Sequence, residues 1–166
     1  MSLDNMLKKL SVRSPWLFRI NAGSCNGCDV ELATTACIPR YDVERLGCRY
    51  CGSPRHADIV LITHTHYDHL DVAAVEKLLA ADTEILCDRT SAEAFEMNCY
   101  TMHPGSVATP RDYVKVEAVA AYNTTPGHLQ FHPREREDCG YVLTIGGTRI
   151  YIAGDTEPTP ELQALR

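Results

Sequence analysis

The sequence predicts an α/β protein with a mixed sheet and flanking helices. Three observations lead to that class. The run Ala57-Asp58-Ile59-Val60-Leu61-Ile62-Thr63 is short and almost continuously apolar, the pattern of a strand buried on both faces. A stretch with helical spacing and a second apolar run, Thr83-Glu84-Ile85-Leu86-Cys87, come after it, and a strand–helix–strand step of that length demands a parallel pair. Further along, Val114-Lys115-Val116-Glu117-Ala118-Val119 alternates, and residues 141–152 read as a hairpin, so antiparallel pairing joins the parallel kind.

In chain order, Leu3, Met6, Leu7 and Leu10 share one helical face with lysines opposite, which predicts a short amphipathic helix or a docking arm. Residues 16–21 read as a strand, and Ala22-Gly23-Ser24-Cys25-Asn26-Gly27-Cys28 as a glycine-rich turn. Residues 29–37 are helix-compatible until Pro39 stops them. Beyond the first apolar run, Asp71 can cap a helix whose buried face is Val72, Val75, Leu78 and Leu79. A second short helix is expected over residues 91–97. In the hairpin, Gly146-Gly147 supplies the positive φ angles of a two-residue turn.

A chain of 166 residues makes one domain, or one plus an appendage, and the change of character near residue 56 divides it into 1–56 and 57–166. The net charge of −6, with no basic block, leaves no electrostatic footprint for nucleic acid. No apolar stretch reaches the roughly 18 residues of a membrane helix, and the first ten residues lack a signal-peptide core, so no membrane span and a cytoplasmic location are expected. In a reducing compartment the eight cysteines are metal ligands or core thiols rather than disulfides.

The chemistry concentrates in His64-Thr65-His66-Tyr67-Asp68-His69, where three of the seven histidines fall within six residues at the carboxyl end of a predicted strand. In a tight turn His64 and His66 can face one metal ion while Asp68 and His69 face a second, about 3.5–4 Å away. Neutral imidazole with carboxylate suits zinc, and also manganese or iron. Asp155, at the end of the hairpin, can bridge two ions or cap the next turn. Cys25-x-x-Cys28, between a strand and a helix, has good geometry for two thiolates on one iron–sulfur cluster. Cys48-x-x-Cys51, with nineteen residues between it and Cys28, offers a four-cysteine zinc site instead, and a third reading makes these cysteines buried thiols.

Two family resemblances rest on these residues. His64-x-His66-x-Asp68-His69 after its strand, together with Tyr151-Ile152-Ala153-Gly154-Asp155-Thr156, resembles the metallo-β-lactamase superfamily from about residue 58 to 161, and is most similar to the small-molecule hydrolase branch that includes ascorbate-phosphate lactonase. The resemblance implies part of an αββα fold and a bridging role for Asp155. Many superfamily members carry a third ligating histidine just before Thr-Pro-Gly. Here Thr124 occupies that place, so Asn123, His128 or His132 must serve, with His132 favoured and His103 read as solvent-exposed. Residues 11–63, through Asn21-Ala22-Gly23-Ser24-Cys25-Asn26-Gly27-Cys28-Asp29-Val30-Glu31, Pro39-Arg40-Tyr41-Asp42-Val43-Glu44-Arg45 and Gly52-Ser53-Pro54-Arg55-His56, resemble the small subunit of membrane-bound nickel–iron hydrogenases and its relative in respiratory complex I. That implies a 4Fe-4S cluster on Cys25 and Cys28. The other two cluster cysteines of that family have no counterpart here, since Cys99 and Cys139 lie in different contexts.

The resulting expectation is a metal-dependent hydrolase. His64, His66 and His132 hold one ion, and Asp68, His69 and Asp155 the other. A metal-bound hydroxide is the nucleophile and Asp68 orients it, acting on a small ester, lactone or phosphorylated substrate. The alternative is an iron–sulfur electron-transfer subunit docked on a hydrogenase-like large subunit through Arg40, Tyr41, Asp42 and Arg45. A further alternative is a fused or truncated chain without activity. Both resemblances are partial, so an uncovered apolar sheet face is expected, to be hidden by the first third or by a second copy in a homo-oligomer.

Overall fold

The computed structural model describes residues 16–17, 49–50 and 57–165. The readings of residues 3–10, 18–48 and 51–56, among them Cys25, Cys28, Cys48 and Cys51, lie outside the described residues. Within the first part, β1 (Trp16–Leu17) pairs in parallel with β2 (Arg49–Tyr50).

Alternation of side chains decides the layers. In β3 (Ile59–Ile62), Ile59 and Leu61 pack to one side while Val60 and Ile62 pack to the other. β4 (Glu84–Asp88) repeats the arrangement, with Leu86 on the first side and Ile85 and Cys87 on the second. The crossover between them is α1 (Val72–Leu78), capped by the Asp71 carboxylate, which accepts from the Ala74 N–H at 3.0 Å. Its Val75 is buried with Ile62, Ile85, Cys87 and Phe95. A parallel three-stranded sheet results, in the order β3, β4, β5 (Tyr100–Met102).

The helix expected at 91–97 begins earlier and is shorter: α2 is Arg89–Ala92. Asp88 causes this. Its Oδ2 accepts from the Thr90 and Ser91 N–H groups, so the helix starts directly where β4 ends.

The second sheet is antiparallel and runs in sequence order: β6 (Val107–Arg111), β7 (Val114–Ala120), β8 (Cys139–Ile145) and β9 (Thr148–Ile152). Gly146 and Gly147 turn the last hairpin with φ of 55° and 88°. Pro110 sits on the edge strand β6, beside a register shift between Ala108 and Arg111, where a missing N–H costs no ladder bond. α3 (Pro160–Gln163) follows, capped by the Thr159 hydroxyl, which accepts from the Leu162 N–H at 3.1 Å.

The two sheets pack face to face. Ile59, Leu61, Leu86 and Met102 meet Val114, Val116, Ala118, Tyr141 and Leu143, with Leu86, Val116 and Tyr141 fully buried. Burying a leucine of this kind stabilises by about 1.5–3 kcal/mol. Among the described residues the seven strands of these two layers therefore cover each other's inner faces. The layers are also stitched by polar groups. The Tyr141 hydroxyl donates to the Ile62 carbonyl at 2.7 Å, and the Cys139 N–H donates to the Thr63 carbonyl at 3.2 Å. Arg111 ties the opposite end by pairing with Glu84. Among the described residues no helix is long and apolar enough to cross a membrane.

Candidate metal centre

The parallel sheet delivers its polar groups where β3 ends. Beyond Thr63 the chain turns tightly, with the His69 and Leu70 N–H groups both donating to the His66 carbonyl at 2.8 and 2.9 Å. This turn gathers the imidazoles. The ring centroids of His64 and His69 are 4.1 Å apart, and those of His64 and His66 4.8 Å.

The antiparallel sheet supplies the rest. His132 reaches the cluster from the segment between β7 and β8, with its ring 4.6 Å from His66 and 4.9 Å from His64. Asp155 follows β9 and Gly154, whose φ is +64°. A Cβ on Gly154 would lie 2.9 Å from the Thr63 Cβ, so glycine there allows the strand end to approach the histidine turn. The Asp155 carboxylate then faces both sides of the cluster: Oδ1 is 3.3 Å from His69 Nε2, and Oδ2 is 3.4 Å from His132 Nε2 and 3.9 Å from His64 Nε2.

Two sets of potential ligand atoms lie within 4.8 Å of one another: His64, His66 and His132, and His64, His69 and Asp155. The first set has the membership expected from the sequence. The second differs, since His64 stands where Asp68 was expected, and Asp68 Oδ2 is 3.7 Å from His69 Nε2. His128 is held elsewhere, 3.2 Å from Glu157 Oε1, and that same glutamate accepts from the Thr124 and Thr125 N–H groups at 2.8 and 2.7 Å. These bonds hold the Glu157 carboxyl down at about 2 and pin the loop that leads to His132. His103 is half exposed and bonds Glu137, in keeping with its expected position away from the site.

Hydrogen bonds outside the cluster orient the rings. His64 Nδ1 is 3.0 Å from the Thr63 hydroxyl, which leaves Nε2 aimed inward, buried and without a hydrogen-bond partner. His132 Nδ1 is 3.1 Å from Oδ2 of the buried Asp138, whose Oδ1 accepts from Arg136 Nε at 3.0 Å. Arg136 extends further, with Nη1 3.1 Å from His66 Nε2 and Nη2 donating to the Thr65 hydroxyl at 3.2 Å. Sequence reasoning missed Asp138 and Arg136. They belong to Arg134-Glu135-Arg136-Glu137-Asp138, a charged run that reads as a solvated loop.

The electrostatics suit a cation. Burial, and then the neighbouring His69, hold the His64 imidazole far below its ordinary value, while burial followed by the Arg136 guanidinium lowers His66. The hydrogen bond with His69 holds the Asp155 carboxyl below the usual range. Imidazoles, a carboxylate and one buried nitrogen without a hydrogen-bond partner form a donor set that fits a divalent ion such as zinc.

A two-layer α/β sandwich with histidines and carboxylates converging at its strand ends defines the class of metallohydrolase-like folds. A family model described as "Beta-lactamase superfamily domain" matches residues 46–166, and the chain belongs to that family. It is 31% identical over 120 residues to a UPF0173 metal-dependent hydrolase of Symbiobacterium thermophilum, a match covering 66% of this chain and 47% of that protein. A crystal structure of a candidate metal-dependent hydrolase from Parabacteroides distasonis superposes with a TM-score of 0.62 at 45% identity, over 68% of this chain and 52% of that one. The chain thus spans about half the length of these relatives. A separate similarity, 60% identity over 57 residues, links 34% of the chain to 34% of a candidate membrane-bound hydrogenase subunit of Pyrococcus furiosus.

Proposed function

We propose that residues 57–166 form a metal-dependent hydrolase module. The observation that carries the proposal is the convergence of four imidazoles and Asp155 in two overlapping ligand sets, with an unpartnered buried nitrogen on His64 aimed between them. His64, His66 and His132 would hold one ion. Asp68, His69 and Asp155 would hold a second. A bound divalent ion supplies a water whose pKa is lowered to about 7 and polarises the bond to be cut.

The chain's own residues do the remaining work. Thr63 and Asp138 fix the orientation of His64 and His132, so that both rings present Nε2 to the site. Asp68, in the turn 3.7 Å from His69 Nε2, would orient a nucleophilic water. The substrate class we propose is a small ester, lactone or phosphorylated compound, a reading supported by the family. Elemental analysis of the purified protein tests the site: wild type should carry zinc, manganese or iron, and His66→Ala should lose at least one equivalent. Unchanged metal content in that variant would sink the assignment.

The hydrogenase-like similarity favours a second reading for residues 1–56, in which Cys25 and Cys28 hold a 4Fe-4S cluster in an electron-transfer module that docks on a hydrogenase-like large subunit. Broad brown absorbance that disappears in the Cys25→Ser, Cys28→Ser double variant while the histidine-site metal persists would support it. A colourless protein would reject it.

A further inference from the structure

Arg136 stands out because its contact with His66 conflicts with what His66 would do as a ligand. A neutral imidazole has one in-plane electron pair, and Arg136 Nη1 takes it by donating to Nε2 at 3.1 Å. Ligation of an ion through Nε2 needs that pair directly. Ligation through Nδ1 moves the ring proton to Nε2, which then faces another donor. Under either mode of ligation the Arg136–His66 bond is given up.

The guanidinium does not leave with it. Its Nε is anchored at 3.0 Å to Asp138, a carboxylate buried at 1% exposure and itself bonded to His132. Among the described residues Nη2 donates to the Thr65 hydroxyl, at 3.2 Å, a neutral partner and therefore a weaker one. The Arg136 side chain is 26% exposed, so it is in part reachable from solvent. A rigidly rooted fork of N–H groups matches a carboxylate or phosphate in bidentate geometry.

We propose that Arg136 is a specificity-determining residue that releases His66 to a metal ion and turns its freed N–H fork to the carboxylate or phosphate group of an anionic substrate. The proposal rests on the hydrolase reading and narrows it, from esters and lactones in general to substrates that carry a negative group close to the bond being cut. Asp138 gains a double role, orienting His132 through one oxygen and holding the anion-binding fork through the other.

The experiment uses the full chain, manganese as the metal and inorganic phosphate as the probe. Phosphate is titrated calorimetrically into manganese-loaded wild type, Arg136→Gln and Arg136→Lys, with bound manganese measured in each. Phosphate should bind wild type about tenfold or more tighter than Arg136→Gln at equal manganese content, as loss of a charge-assisted bond implies, with Arg136→Lys between them. Nitrogen NMR adds a readout independent of binding: manganese is replaced by zinc, and zinc alone should remove the coupling between the Arg136 Nη and the His66 ring. Equal phosphate affinity at equal metal content overturns the proposal and leaves the hydrolase reading standing. Loss of manganese in Arg136→Gln also overturns it, because Arg136 would then support the ligands rather than the substrate. If Arg136→Gln does not fold, the Arg136→Lys comparison decides, and phosphate affinity equal to wild type rejects the proposal. A wild type that binds no metal at all sinks both.

Discussion

Gly154 shows how much one residue fixes. It adopts φ of +64°, and its Cα faces Thr63 so closely that a Cβ has no room. Gly154→Ala should therefore cost roughly 2–5 kcal/mol by denaturant unfolding, the sum of left-handed strain and overpacking. It should also move Asp155 away from His69 and His132. Asp138→Asn tests a different dependence. The amide can still bond His132, but without the charge that favours one ring orientation, and metal affinity should fall 10–100-fold in competition with a coloured chelator. Local sequence made His64, His66, His69 and Asp155 legible, because strand ends and a short histidine turn are local facts. His132 was reached only by choosing among three polar residues of one loop. Asp138 and Arg136 were not legible, since their roles depend on a fold that carries residues 134–138 against a turn seventy residues earlier.

At the level of elements, α3 is held by side chains rather than by its own four residues. The Tyr122 hydroxyl donates to Glu161 at 2.9 Å and Arg134 donates to it at 2.7 Å, with the Arg134 guanidinium 5.1 Å from the Tyr122 ring. A hydrogen bond from its own backbone N–H, then the Tyr122 bond, lowers the Glu161 carboxyl below its ordinary 4.5. A carboxyl lowered on folding adds stability that is complete above its unfolded value and is lost as pH falls through the folded one. The difference in unfolding free energy between wild type and Glu161→Gln should thus shrink between pH 6 and pH 3. A difference independent of pH would show that Glu161 acts by packing alone. Elements with strong internal signals were legible: β3, α1 and β4 from an apolar run, a cap and a second run, and β8 and β9 from paired glycines. β5 and β6 were not, because one has three residues with Tyr100 exposed and the other is an edge strand interrupted by Pro110.

For the whole molecule, what matters is where the ligands come from. His64, His66 and His69 follow β3 of the parallel sheet, whereas His132 lies in the segment between β7 and β8 and Asp155 follows β9 of the antiparallel sheet, and the two sheets are joined beside the site by the Thr63–Cys139 bond. An ion held by both sets would act as a rivet through the sandwich, so that pulling the layers apart would also break its coordination. Binding that exists only in the folded state adds about 2.7 kcal/mol when free metal stands at a hundred times its dissociation constant. Dialysis against a strong chelator should accordingly lower the melting temperature, and graded zinc should restore it and keep raising it as free zinc climbs past the dissociation constants. His132→Ala should blunt that response more than a change in a surface histidine such as His103→Ala. The folded population of this chain would then follow the supply of metal around it, making the sandwich a gauge of free zinc as well as a scaffold for it.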